Sequence, residues 1–179
     1  MVAEITYRRA GEADIDLLAG HHRRMFEEMR AQGGLSLQTT CCGPGCGSFS
    51  AQPQEERPKD FTGLERAHRQ KLSLQIPYGS CIAWIAEFDN EPIASGELSI
   101  LRTVPVPEDP SATTGFIHSI FVLPSMRRQG IASALIDLLL NHCRQIGITR
   151  VQLNSSELGR EVYARKGFRP LEQVMIRWL

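Results

Sequence analysis

Residues 119–133, SIFVLPSMRRQGIAS, decide how the rest of the chain is read. They close a β-branched and aromatic run, GFIHSIFVL over 115–123, which reads as a buried strand broken by Pro124. Arg127-Arg128-Gln129-Gly130 then reads as a turn. From there Ile131, Leu135, Leu138, Leu139 and Cys143 recur on one face, so 131–146 reads as a long helix stopped by Gly147. A helix start exposes backbone N–H groups with no helical acceptor, a natural receptor for a phosphate or pyrophosphate. Gly130 and Ala132 are small enough to let a ligand reach the main chain, and Arg127 and Arg128 add positive charge at the same rim.

Outward from this unit the pattern continues on both sides. Behind it, ITRVQLN (148–154) reads as a strand. Ser155 or Ser156 caps a short helix that carries Val162 and Tyr163 and ends at Gly167. A strand pair over 168–179 closes the chain. In front, 5–10 reads as an opening strand. A first helix follows, with Ile15, Leu18, His22, Met25, Phe26 and Met29 at helical spacing and Glu12, Asp14 and Asp16 in its acidic first turn. A second helix spans 61–76. SCIAWIAEF (80–88) and PIASGELSIL (92–101) are strands joined by a hairpin at Asp89-Asn90-Glu91, and 103–114, with three prolines, reads as a loop. The order β-α-α-β-β-β-α-β-α-β predicts a single α/β (α+β) domain with a mixed sheet flanked by helices.

At 179 residues and 20.0 kDa, one such domain can bury a full core. Twenty basic residues balance twenty acidic ones, which argues against a bulk electrostatic grip on nucleic acid. No apolar run approaches the ~18 residues of a membrane span, and MVAEITYRR lacks the apolar region of a signal peptide. The expectation is a cytoplasmic protein with no membrane partner. Between the first two helices the period is lost over about 33–60, where Gly and Pro cluster around Cys41-Cys42-Gly-Pro-Gly-Cys46. Three close thiols are soft ligands, but the two separated ligand pairs of a structural zinc site are missing. Loop variation, a disulfide and soft-metal or metalloid binding all remain open. Cys81 and Cys143 fall on core faces and read as buried.

Pro124-x-x-Arg127-x-x-Gly130-x-Ala132 after a strand ending VLP resembles the acetyl-CoA signature of the GNAT N-acetyltransferase superfamily. Asn154-Ser155-Ser156 with Val162-Tyr163-x-x-x-Gly167-Phe168 is similar to the second motif of that family, and Tyr7-Arg8-Arg9-Ala10 with Asp14 to its N-terminus. The resemblance covers the chain except 33–58. It implies a mostly antiparallel sheet splayed open beside the Val122 strand, with acetyl-CoA as cosubstrate in the gap. The strand segment Ile120, Phe121 and Val122 would lie along the pantetheine arm, with main-chain groups of Ile120 and Val122 pairing to it. Main-chain N–H groups of Arg128, Gln129, Gly130, Ile131, Ala132 and Ser133, with Arg127 at the rim, would hold the pyrophosphate. Asn154 would reach the pantetheine side, and Tyr163 would act as general acid on the thioester sulfur.

The reaction implied is direct acetyl transfer to a primary amine of a small molecule or peptide. The attacking amine must be neutral, the oxyanion needs a fixed donor, and the leaving thiolate needs a proton. His118, on the strand that should form the acetyl slot, is the leading base, because a histidine titrates near neutrality. Glu97, Glu27 and Glu28 are alternatives. Many GNAT strands carry a glutamate here; GFIHSIFVL has none. A non-catalytic acyl-CoA-binding module and a thiol-based metal or metalloid sensor are the rival readings, and a homodimer is left open.

Overall fold

The computed structural model describes residues 4–32 and 60–171. The insertion with Cys41, Cys42 and Cys46 lies outside the described residues, as do 172–179 of the expected closing strand pair; 168–171 carry no strand. The elements are β1 (Thr6–Arg9), α1 (Ile15–Ala31), α2 (Phe61–Gln75), β2 (Cys81–Phe88), β3 (Glu91–Arg102), β4 (Thr113–Val122), α3 (Ile131–Gln145), β5 (Arg150–Leu153) and α4 (Glu157–Arg165). Two of the boundary differences from the sequence reading have a visible cause. Glu12–Asp14 form a separate 3-10 turn before α1, because the Asp14 carboxylate takes the Gly11 N–H at 2.9 Å and the Arg8 guanidinium at 2.7 Å. Thr113 and Thr114 belong to β4, where Thr114 pairs with both Leu101 and Arg150.

The sheet runs β1-β2-β3-β4-β5, antiparallel except for the parallel β4–β5 pair. Asp89 (φ 51°) and Asn90 (φ 62°) both adopt the left-handed region, the two-residue turn whose twist suits a tight β2–β3 hairpin. Period-2 alternation then separates two cores. One face puts Ile82, Leu98 and Ile117 against Ile136, Leu139 and Cys143 of α3, with Tyr163 and Phe168 packed at the margin. The other puts Cys81, Ala83 and Ile85 against Leu18 of α1 and Leu72 of α2.

Two irregularities of β4 create the site. Its pairing with β5 stops at Ile117↔Leu153, so among the described residues the stretch 119–122 has no strand partner on that side and the sheet opens. On the β3 side, Glu97 faces His118 and Ser95 faces Phe121, so two β4 residues stand opposite Gly96 alone. This is a β-bulge, with Ser119 held at φ 54°. Gly96 tolerates it: a Cβ there would lie 2.6 Å from Ile120 Cδ1.

Leu139 is fully buried between α3 and the sheet. Leu139→Ala is expected to cost about 2–5 kcal/mol of unfolding free energy in a urea titration. A loss under about 1 kcal/mol would contradict this packing.

Candidate active site

The bulge has a chemical consequence. In regular β structure His118 and Ser119 would point to opposite faces. With the extra residue, both side chains meet on the α1/α2 side, where His118 Nδ1 lies 2.9 Å from Ser119 Oγ. They join a polar cluster built from four elements. His22 of α1 places Nδ1 2.7 Å from Ser119 Oγ. His68 of α2 approaches both carboxyl oxygens of Glu97 with Nε2, at 3.0 Å, and stacks on the His22 ring at 3.8 Å. Glu97 of β3 is wholly buried and lies 3.3 Å from His118 Nδ1. Lys71 Nζ donates to Ser99 Oγ at 3.0 Å and sits 3.0 Å from His118 Nε2, which is also 2.8 Å from Ser99 Oγ. Next along α1, His21 meets Ser95 Oγ at 2.9 Å.

Burial holds the imidazoles of His21, His22 and His118 neutral. It pushes His118 down to about 2, with the Lys71, His68 and His22 charges adding to the effect. His22 falls to about 3, by burial and then by His68 and Lys71, and His21 to about 4, by burial and then Arg24. The ligand atoms of His68, Glu97 and His118 lie within 4.8 Å of one another, a spacing that fits a metal ion as well as shared protons. Each of those atoms already has a hydrogen-bonding partner inside the cluster, so the cluster is complete as a proton network.

The second half of the site is the turn into α3. Its first helical bond runs from the Ala134 N–H to the Gly130 carbonyl, which leaves the N–H groups of Ile131, Ala132 and Ser133 without helical acceptors. Gly130 caps the helix at φ 80° and Arg128 stands at φ 63°, so the chain folds back sharply, and the exposed turn Arg127 to Gly130 lies next to these donors. The Leu123 N–H donates to the Ile93 carbonyl at 2.9 Å, so by strand alternation the main chain of the preceding residue, Val122, points away from β3 into the opening. There its carbonyl accepts a bond from Arg127 Nε at 3.0 Å, while the far end of the same guanidinium pairs with Glu28 of α1. Arg127 therefore ties the strand end to α1. Ile120 packs on the α3 face and Phe121 on the α1 face, against the His21 ring and Arg24. Asn154 is exposed just past β5, two residues before Ser156, whose Oγ accepts the Gly159 N–H at 3.2 Å and caps α4.

Tyr163 of α4 is half-buried beside Phe168, and burial raises its phenol to about 12, so it stays protonated at neutral pH. It packs with the core that includes Ile117, on the face of the sheet opposite His118, and no contact joins the two. Of the other base candidates, Glu27 pairs with Arg23 and Glu28 with Arg127, at the helix surface. Among the described residues no helix is long and apolar enough to cross a membrane.

Known proteins show the same architecture. The model of the acetyltransferase (GNAT) family matches residues 50–168. This chain belongs to the GNAT family. A predicted acetyltransferase from Clostridium acetobutylicum, crystallised with acetyl-CoA, superposes with a TM-score of 0.76 at 21% identity, covering 97% of this chain and 96% of that one. A GCN5-related N-acetyltransferase from Ralstonia eutropha JMP134 gives 0.76 at 23% identity over 98% and 99%. An aminoglycoside N-acetyltransferase in complex with CoA gives 0.64 at 19% over 100% and 97%. No curated protein matches the sequence. The mixed, mostly antiparallel open sheet expected from the motifs is the GNAT fold.

Sequence reasoning did not find His22 and His68 as site residues. His22 was counted among the core positions of α1, and His68 went unremarked on the apolar stripe between Leu64 and Leu72. That placement was the available signal, since a histidine on an apolar stripe needs a buried polar partner.

The buried histidines make stability pH-dependent. His21, His22 and His118 sit below the ordinary value of about 6.5, so in acid the unfolded chain binds protons that the folded chain refuses. Their contribution is complete above about pH 6.5 and is lost as pH falls toward the folded values. The melting temperature should therefore drop progressively from about pH 6.5 to about pH 4. A level profile over that interval would contradict the placement of these rings.

Proposed function

We propose that this GNAT chain is an acetyl-CoA-dependent N-acetyltransferase that moves the acetyl group directly onto a primary amine of a small molecule or peptide. One observation carries the reading. The open edge of β4 has the polar cluster at Ser119 at one end and the donors at the start of α3 beyond the other. The N–H groups of Ile131, Ala132 and Ser133, with those of the Arg128-Gln129-Gly130 turn, would receive the pyrophosphate, which carries the charge a helix start favours. Val122, whose main chain faces the opening, would pair with the pantetheine arm beside Ile120 and Phe121. For that pairing the Arg127 guanidinium must leave the Val122 carbonyl. Asn154 would close the far side of the arm.

At the reacting end the two faces of the opened sheet divide the work. Tyr163, protonated on one face, gives its proton to the departing thiolate. The cluster containing His118, on the other, receives the proton released by the amine. Non-catalytic acyl-CoA binding has no use for this second feature. The sensor reading rests on Cys41, Cys42 and Cys46, outside the described residues, and draws no support here. The reading extends to a single domain over 1–179, with 33–60 as an insertion, and to a cytosolic location.

A panel of amines incubated with acetyl-CoA, followed by free-thiol release and product mass, tests the reaction. Acetylation of at least one amine is expected; hydrolysis alone, or no turnover across the panel, contradicts it. CoA should raise the melting temperature of the parent. Gly130→Val, forcing a β-branched residue to φ 80°, should abolish that rise. Unchanged CoA affinity in that variant would remove the pyrophosphate assignment. Tyr163→Phe should lower kcat about a hundredfold with CoA affinity retained. Equal kcat, with chemistry limiting, would reduce Tyr163 to packing.

A further inference from the structure

Three elements bring metal-ligating atoms together in the cluster. His68 Nε2 of α2, the Glu97 carboxyl group of β3 and His118 Nδ1 of β4 lie within 4.8 Å of one another. His68 Nε2 stands 3.0 Å from each oxygen of Glu97, and His118 Nδ1 stands 3.3 Å from Oε2. Metal–ligand arms of about 2.0–2.1 Å at tetrahedral angles set neighbouring ligand atoms roughly 3.3 Å apart, so these contacts have the spacing of a small ion's shell. Glu97 is wholly buried, and among the described residues no arginine or lysine lies within salt-bridge distance of it. Its ionisable neighbours at that distance are the two imidazoles.

We propose that His68, Glu97 and His118 bind a divalent transition-metal ion, with water as a fourth ligand, and that Zn(II) is the ion this donor set fits. Two imidazoles, one carboxylate and one open position suit zinc, whereas magnesium and calcium take shells of oxygen. The site is independent of the acetyltransferase reading, since its occupancy is measured with neither acetyl-CoA nor an amine present. In the metal-free protein, imidazole N–H groups occupy the contacts to the carboxyl group. On binding, each ring moves that hydrogen to its other nitrogen and gives the freed lone pair to the ion. His118 is held neutral by burial, so this exchange of tautomers expels no proton from it. Its Nε2–H then donates to Ser99 Oγ, already 2.8 Å away, the outer hydrogen bond that fixes a ligating imidazole in place. Ser119 Oγ, 2.9 Å from His118 Nδ1 and 2.7 Å from His22 Nδ1, stands next to the shell as a partner for the bound water.

Lys71 opposes this occupancy. Its Nζ lies 3.0 Å from His118 Nε2 and donates to Ser99 Oγ at 3.0 Å. An ammonium there suits the lone pair that Nε2 carries in the metal-free protein. In the loaded site it faces an N–H group and a like-charged ion, so it must turn outward on its flexible stem, which its half-buried position allows. His118 is also the ligand nearest solvent, with 14% of its side chain accessible against 5% for His68 and none for Glu97. Displacing Lys71 therefore removes the competing charge at the edge by which the ion enters.

The binding test titrates metal-free, reduced protein with Zn(II) against a chromophoric chelator. It uses the full chain with Cys41, Cys42 and Cys46 each replaced by serine, so that these thiols do not compete. One ion per chain is expected. Glu97→Gln keeps the side-chain volume but loses the anionic ligand, and should weaken binding about a hundredfold or more. Lys71→Met should tighten it about tenfold by removing a like charge. No binding by the cysteine-free chain, parent affinity in Glu97→Gln, or a Lys71→Met variant that binds no more tightly would each overturn the proposal.

X-ray absorption at the zinc edge, on the loaded parent chain with its thiols reduced, needs no substitution. Nitrogen and oxygen ligands at about 2.0–2.1 Å, two of them imidazoles, are expected, with no sulfur at about 2.3 Å. A sulfur shell, or fewer than two imidazoles, would overturn the site. A zinc site with these ligands in a chain that acetylates no amine would retain the metal inference and reject the acetyltransferase reading.

Discussion

The constraint from which the site follows is the burial of the Glu97 carboxyl group. It has no exposed surface and sits in the middle of a strand between two others. A carboxyl group so placed is severely destabilising unless hydrogen bonds replace its water. Those bonds come from His68 on α2 and His118 on β4, so the carboxyl group fixes how the second helix docks and which residue of β4 stands opposite it. The bulge follows at that point. With His118 pinned to Glu97 and Phe121 pinned to Ser95, one residue is left over, and Ser119 takes it up in a left-handed conformation.

That conformation costs about 1–3 kcal/mol for a residue with a side chain. It is offset by what it brings together, since Ser119 Oγ meets both His118 and His22, and the latter contact draws α1 onto the strand. The same strand loses its β5 partner beyond Ile117, so the main chain next to the cluster is unpaired where the sheet opens. The polar network and the opening are thus two sides of one irregular strand. Tyr163, on the opposite face, completes the arrangement without touching the histidines.

Much of this was legible in the sequence because it follows from local chemistry. The period of 131–146, the Pro124 break, the Gly130 and Gly147 positions and the Asp89-Asn90 turn placed the elements closely. The order of the two motifs indicated the family. The polar face of β3 was also written plainly, since Ser95, Glu97 and Ser99 alternate with Ala94, Gly96 and Leu98 in a strand otherwise apolar. The bulge was not, because an extra residue in β4 follows from register against β3, and register is a long-range property. Without the bulge, His118 and Ser119 fall on opposite faces, and nothing links them to His22. His118 was read as the leading base from its strand position alone, without the contacts to Ser119, Glu97, Ser99 and Lys71 that surround it in the structure.

A crystal structure with acetyl-CoA and a slow or unreactive amine bound together measures the central geometry directly. The account predicts the thioester in the opening beside 119–122, with Tyr163 Oη against the sulfur on one face. The amine nitrogen should lie on the other, on the side of the cluster that contains His118 and Ser119. An acetyl group placed on the far side of β5, or an amine nitrogen separated from the His22 cluster by the sheet, would contradict it.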